Sequence, residues 1–165
     1  RWRRIRISAT DKAQMDTEEK ALNAITERII GCAYKVATTL GYGFAERCYE
    51  NAMAFELRQA GLNVQQQASL KVWYEGIVVG EYLADLIVEN LVLVELKAMS
   101  GLDAAHLAQC INYLAATKLP ICLLINFGKR VEVKRIAGPE LKTESTSSHS
   151  SVSISAPSVA KTDFE

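Results

Sequence analysis

The sequence lacks a pair of cysteines spaced for zinc or for a redox motif. Cys32, Cys48, Cys110 and Cys122 stand 16, 62 and 12 positions apart, and no C-x-x-C occurs. They read as reduced core thiols, which fits a cytoplasmic chain without an export signal. The basic head Arg1-Trp2-Arg3-Arg4-Ile5-Arg6 resembles the start of a signal peptide, but Ser8-Ala9-Thr10-Asp11-Lys12 stands where the hydrophobic run would follow. Nowhere does an apolar stretch approach the ~20 residues that cross a bilayer, so a membrane partner is not expected. Excess charge of one sign is also missing. Nineteen basic and nineteen acidic side chains cancel, which argues against a nucleic-acid coat protein and against an acidic tail protein. No internal repeat is present.

What remains is 165 residues, 49% of them apolar, enough for one domain with one hydrophobic core. The neutral total hides a division: residues 1–14 carry +4, residues 15–142 carry −2 and residues 143–165 carry −2. Three segments follow from this. Residues 1–14 are read as an extension outside the domain, because Met15 stands just before the first periodic stretch. Residues 15–142 form the domain. Residues 143–165 hold eleven Ser or Thr among 23 positions and are read as a disordered tail.

Within the domain, Ala21, Leu22, Ile25, Ile29, Cys32, Val36 and Leu40 recur at helical steps. Asp16 and Glu19 resemble a capping box at the start of that helix, and Gly41 is its stop. A second helix is expected from about Phe44 to Gln59. A hairpin follows, with Leu70, Val72 and Trp73 in one strand, a turn at Glu75-Gly76 and a second strand from about Val78 to Val88. Leu91-Val92-Leu93-Val94-Glu95-Leu96-Lys97 is nearly continuous apolar sequence, the mark of a strand covered on both faces. A helix capped by Asp103 and ending near Thr117 comes next. Ile121 to Asn126 and Val131 to Arg135 are expected to be closing strands.

Glu95 and Lys97 are out of place in their strand. Alternation puts both on one face, and a buried, unpaired carboxylate costs several kcal/mol, so a Glu there marks an ion pair, a metal ligand or a proton-transfer group. Asp85, on the preceding strand, supplies a second carboxylate. Two carboxylates and a lysine at one sheet end suit a hard divalent cation, with an ammonium beside an attacking water. Taken alone, D-x9-E-x-K is more often a structural ion pair. Glu46 and Tyr49, one turn apart at the start of the second helix, add a third carboxylate that can face the same sheet end.

The ordered set is more specific than any piece: Gly43, Glu46 and Tyr49 as G-x-x-E-x-x-Y, then Ala84-Asp85-Leu86, then Val94-Glu95-Leu96-Lys97-Ala98. It resembles the GxxExxY protein family of the PD-(D/E)XK nuclease superfamily over about residues 17–137, including His106-Leu107-Ala108-Gln109, Asn112-Tyr113-Leu114 and Leu124-Ile125-Asn126-Phe127-Gly128. Ala84 replaces the proline of the motif. The resemblance implies an α/β, restriction-endonuclease-like core of helices, a three-stranded antiparallel sheet, a helix and further strands. It implies that Asp85, Glu95 and the Leu96 carbonyl bind Mg2+ or Mn2+, that Glu46 reaches the metal or its water, and that Lys97 steadies the water or the charge on phosphorus. Gln109 and Tyr113 resemble the Q-x-x-x-Y element of RecB-like nucleases, which orients the lysine and contacts nucleic acid.

His106 is a further candidate for a phosphate contact, although a lone helical histidine is more often a packing residue. Trp73, Tyr74 and Tyr82 are read as core or sheet-face aromatics rather than a base-stacking platform. Lys129, Arg130, Lys134 and Arg135 either grip a phosphate backbone or form a solvated sheet edge.

The expected function is therefore hydrolysis of nucleic-acid phosphodiesters, DNA foremost. The alternative is a non-catalytic nucleic-acid-binding or protein-interaction module on the same fold. A domain this small often needs a second protomer to cut both strands of a duplex, which raises a homodimer, although no interface is legible. One geometric condition decides the site. Directly paired residues of an antiparallel hairpin share a face, so a two-residue turn at Glu89-Asn90 turns Asp85 away from Glu95. An odd connection brings them together. The expected one is Val88-Glu89-Asn90 with Asn90 left-handed, which pairs Asp85 with Leu93 and sets it diagonal to Glu95.

Overall fold

The computed structural model describes residues 9–138, and both the expected tail and the basic head Arg1 to Arg6 lie outside them. Helix α1 (Ala9–Leu40) is followed by α2 (Glu46–Gln59), strands β1 (Val64–Tyr74), β2 (Ile77–Val88) and β3 (Val92–Lys97), helix α3 (Ala104–Thr117), and strands β4 (Ile121–Phe127) and β5 (Val131–Ala137). The five strands form one sheet in chain order, with β3 and β4 parallel and every other neighbouring pair antiparallel. The parallel pair needs a crossover, and α3 supplies it.

Both faces of the sheet are covered. On one, α1 and α2 lay Ile29, Val36, Met53 and Leu57 over Leu86, Val88, Val94, Leu96 and Leu123. On the other, Cys110, Tyr113 and Leu114 of α3 pack on Leu93, Cys122 and Leu124. This explains why β3 and β4 carry apolar residues at successive positions: neither face meets water.

Three expectations need correction. The first helix runs through Asp16 instead of starting there, since no proline or glycine interrupts Ala9 to Asp16. Its first core residue is Leu22. Cys48 is exposed on the outer side of α2, so not every thiol belongs to the core. Of the two places expected for Trp73, Tyr74 and Tyr82, core or sheet face, only the sheet strands hold, with the three residues 63%, 63% and 51% exposed. The reason is length: β3 pairs with β2 only at Leu86, Ile87 and Val88, so the outer half of the β1–β2 hairpin extends past its neighbour.

The β2–β3 connection has odd length, as the site requires. Val88 pairs with Val92, leaving Glu89, Asn90 and Leu91 between the strands, one position later than expected. Glu89 and Asn90 both have positive φ (53° and 54°), and the Leu91 N–H donates to the Val88 carbonyl. This is a left-handed turn with Leu91 bulged out. Glu89 tolerates the conformation because it is tied down: its carboxylate accepts from the Asn63 backbone N–H at 2.7 Å and from the Asn63 amide at 3.2 Å.

Candidate active site

The β2–β3 ladder ends at Leu86 opposite Val94. One step on, Asp85 faces Glu95 by register, and here a side chain takes over from the backbone: the Leu96 N–H donates to Asp85 Oδ2 at 2.8 Å. Strand β2 is rotated at this point. Leu86 and Val88 pack under α1 and α2, whereas Ala84, two residues back, packs in the α3 layer. Neighbouring β1 turns with it, and Gln67, opposite Asp85, has a left-handed φ of 51°. The regular β2–β3 pairing ends where this distortion begins.

Glu95 and Lys97 continue the face of Leu93. Lys97 Nζ donates to Glu95 Oε1 at 2.7 Å, with side chains 13% and 4% exposed. Glu95 Oε2 is buried and has no hydrogen-bond partner. Burial first, and repulsion from Asp85 second, push the Glu95 carboxyl up to about 7 against the pull of Lys97. Asp85 is raised as well, by burial against the opposing effects of the Leu96 N–H and Lys97. Burial disfavours the Lys97 ammonium, but its bond to Glu95 and the charges of Glu95, Glu46 and Asp85 outweigh this and hold its pKa above the usual lysine range.

Glu46 opens α2 and faces this group, its carboxyl raised by burial and by Asp85 and Glu50, with Lys97 and His106 acting the other way. Among the described residues no three His, Cys, Asp or Glu side chains converge tightly enough to cage a metal. Glu46, half-buried at the start of α2, stands close enough to this group to feel Lys97 and Asp85. The two carboxylates fit a divalent cation, because an orphaned buried oxygen and two raised carboxyl pKa values are what a missing positive charge leaves behind. Leu96 lies between Glu95 and Lys97, fully buried, with its N–H already taken by Asp85.

On α3, Gln109 Nε2 donates to the Tyr113 hydroxyl at 2.8 Å, so these two act as a pair. Tyr113 feels Glu95, Lys97 and Asp85, and burial is the main cause of its raised pKa. His106 serves the helix start: its Nδ1 accepts from the Asp103 N–H at 3.1 Å, while Asp103 Oδ1 accepts from the Ala105 and His106 N–H groups. Tyr49 is not brought to the surface of the site. It is fully buried, stacks on Phe127 at 4.5 Å, donates its hydroxyl to the Gly41 carbonyl and accepts from the Phe44 N–H. Its role is to brace the loop that delivers Glu46.

Three positioning residues were not singled out from the sequence. Asn126 clasps the chain after Lys97, donating to the Met99 carbonyl at 3.1 Å and accepting the Met99 N–H at 3.0 Å. The chain passes so close that a Cβ on Gly128 would stand 2.7 Å from the Met99 carbonyl oxygen. Glu50 is 3% exposed and accepts from Arg47, Gln66 and Gln67. A sequence signal exists for it: Glu50 falls in the helical stripe with Met53, Ala54 and Leu57, where a charge is costly. Nothing in the sequence marks Gln67.

A family model of the PD-(D/E)XK nuclease superfamily matches residues 23–136. The chain belongs to that superfamily, and its five-stranded mixed sheet between helices is a restriction-endonuclease-like core. No curated protein matches it in sequence. Among solved structures, it is similar to an alkaline exonuclease (LHK-Exo) from Laribacter hongkongensis at 13% identity and TM-score 0.45, covering 84% of this chain and 75% of that one. It is also similar to SSO0001 at 15% identity and TM-score 0.42, covering 56% of this chain and spanning only half the length of that one. No helix of the described residues is long and apolar enough to cross a membrane.

Proposed function

We propose that this chain is a divalent-metal-dependent nuclease of the GxxExxY type, hydrolysing phosphodiester bonds of nucleic acid, DNA foremost, with Mg2+ or Mn2+ in the cytoplasm. The observation that carries the reading is the pair Asp85 and Glu95, set face to face where β2 and β3 part, with one buried Glu95 oxygen free. These carboxylates and the Leu96 carbonyl would hold the cation, with Glu46 reaching it or its water. The chemistry it supplies when bound is Lewis acidity toward a phosphate oxygen and toward water. Lys97 stays charged near the attacked phosphorus, where an ammonium in a partly dry site stabilises developing negative charge. Glu46 at the rim accepts a hydrogen bond from the incoming water. Gln109 and Tyr113 orient Lys97 and meet the nucleic-acid backbone, with His106 at the edge of that contact. For duplex cleavage, two protomers act on opposite strands.

The test is cleavage of linear duplex, single-stranded DNA and RNA with Mg2+, with Mn2+ and with chelator. Metal-dependent cleavage, lost in the double variant Asp85→Ala, Glu95→Ala, supports the reading. Tight binding of DNA without metal dependence and without cleavage favours the non-catalytic module.

A further inference from the structure

Gln67 occupies a left-handed conformation that non-glycine residues rarely adopt, φ 51° in the middle of a strand. Such strain persists where the surroundings impose it, and here they do. The backbone twist delivers the Gln67 amide between two carboxylates. Nε2 donates to Glu50 Oε2 at 2.8 Å and approaches Asp85 Oδ1 at 3.4 Å. An amide nitrogen has two hydrogens, and both are claimed. The opposite amide orientation would aim the carbonyl oxygen at two anions, so the carboxylates fix which way the group points.

Glu50 is itself held from several sides: Arg47 Nη1 bridges its two oxygens at 3.0 and 3.1 Å, and Gln66 Nε2 reaches Oε1 at 2.8 Å. A chain of contacts therefore runs from exposed Arg47 through buried Glu50 and Gln67 to Asp85. With Oδ2 held by the Leu96 N–H, Asp85 is gripped at both oxygens.

We infer that Gln67, locked by Glu50, is a positioning residue that sets the Asp85 carboxylate for cation binding in the proposed nuclease; the inference rests on that reading of the site. Orienting groups behind a metal ligand are typically worth ~10–100-fold in metal affinity or activity.

Substitution Gln67→Gly separates this role from a merely structural one. Glycine relieves the positive φ, which offsets part of the two lost hydrogen bonds, and Glu50 keeps Arg47 and Gln66 as partners, so the variant should still fold, with a melting temperature only modestly below wild type. Mn2+ affinity, read by calorimetry on the full chain, should fall ~10–100-fold, and kcat on DNA should fall with it while KM for DNA stays unchanged. A folded Gln67→Gly protein with wild-type Mn2+ affinity and kcat overturns the inference and leaves the nuclease reading intact. Wild-type protein that binds no Mn2+ overturns both. Should the glycine variant fail to fold, Glu50→Gln, nearly isosteric and still an acceptor, carries the test: Mn2+ affinity lowered several-fold supports the inference, and affinity unchanged overturns it.

Discussion

Strand β2 contains two halves that invert the usual distribution of side chains. From Ala84 to Val88 every residue is buried, Asp85 included, whereas Ile77, Val78, Val79, Tyr82 and Leu83 in the outer half keep between 44% and 62% of their surface exposed. An acid lies inside among hydrocarbons, and five further apolar side chains lie outside. Neither placement follows from residue type. Strand β3 covers the inner half and stops, so burial along β2 is set by the length of its neighbour. Near the junction, the ladder gives way to the Asp85 carboxylate, which turns the end of a pairing into a polar site. The contrast implies that the buried carboxylates, Asp85 on β2 and Glu95 beside it on β3, are held at a cost in stability, while the apolar outer half adds little to the fold.

The sharpest way to break the contrast is to remove the inner charges. Asp85→Ala with Glu95→Ala should abolish both cleavage and the binding of Mg2+ or Mn2+, measured by calorimetry. Next in size is Lys97→Ala, which should fold and bind metal while losing ~10²–10³-fold in turnover on DNA. If it unfolds instead, Lys97 is only the neutraliser of Glu95.

The cost of burying Glu95, added to by Asp85, is visible without any substrate. Glu95 titrates near 7 in the folded protein against 4.5 as its ordinary value, so the folded state binds more protons than the unfolded chain between these limits. Its contribution is full below about pH 4.5 and is lost as pH rises through 7. Denaturant titrations of the metal-free protein should show stability falling by on the order of 3 kcal/mol from this group across that window. Saturating Mn2+ at pH 7.5 should restore it, because the cation binds the ionised form. Stability that is flat in pH would mean that Lys97 already neutralises Glu95 completely.

The smallest effect belongs to the outer half. Trp73→Ser with Val79→Thr should change unfolding free energy by less than about 0.5 kcal/mol for each site, since more than half of each residue's surface is already in water. A larger loss would show that the tip packs on something the chain itself provides.

Much of this was legible in the sequence, and the parts that were not have physical reasons. The Asp103 cap, the Glu75-Gly76 turn and the doubly covered β3 are local signals, written in a few adjacent residues, and each of these three stands within a residue or two of its expected place. The pairing parity that brings Asp85 to Glu95 was also legible, because an odd or bulged connection was the only one compatible with a shared face. The one-position shift of that loop was not, since it depends on Asn63 anchoring Glu89 from a distant segment. Gln67 was invisible for the same reason. Its backbone angle answers to Glu50 on α2 and Asp85 on β2, and no neighbour in sequence announces it. The exposure of Trp73 and Tyr82 required knowing where β3 ends, which periodicity within β2 does not contain.

The parallel pairing of β3 with β4 has a consequence for the order of assembly. The hairpin of β1 and β2 closes through a turn at Glu75-Gly76, a contact between close neighbours in the chain, whereas β3 meets β4 only after α3 has crossed the sheet. Local closure is fast and non-local closure is slow. The hairpin is therefore available early, with its apolar tip in water and its inner half still waiting for β3. Crowded synthesis or refolding at high concentration would present that tip, together with the uncovered Ile87 and Val88, to other chains before the crossover is complete.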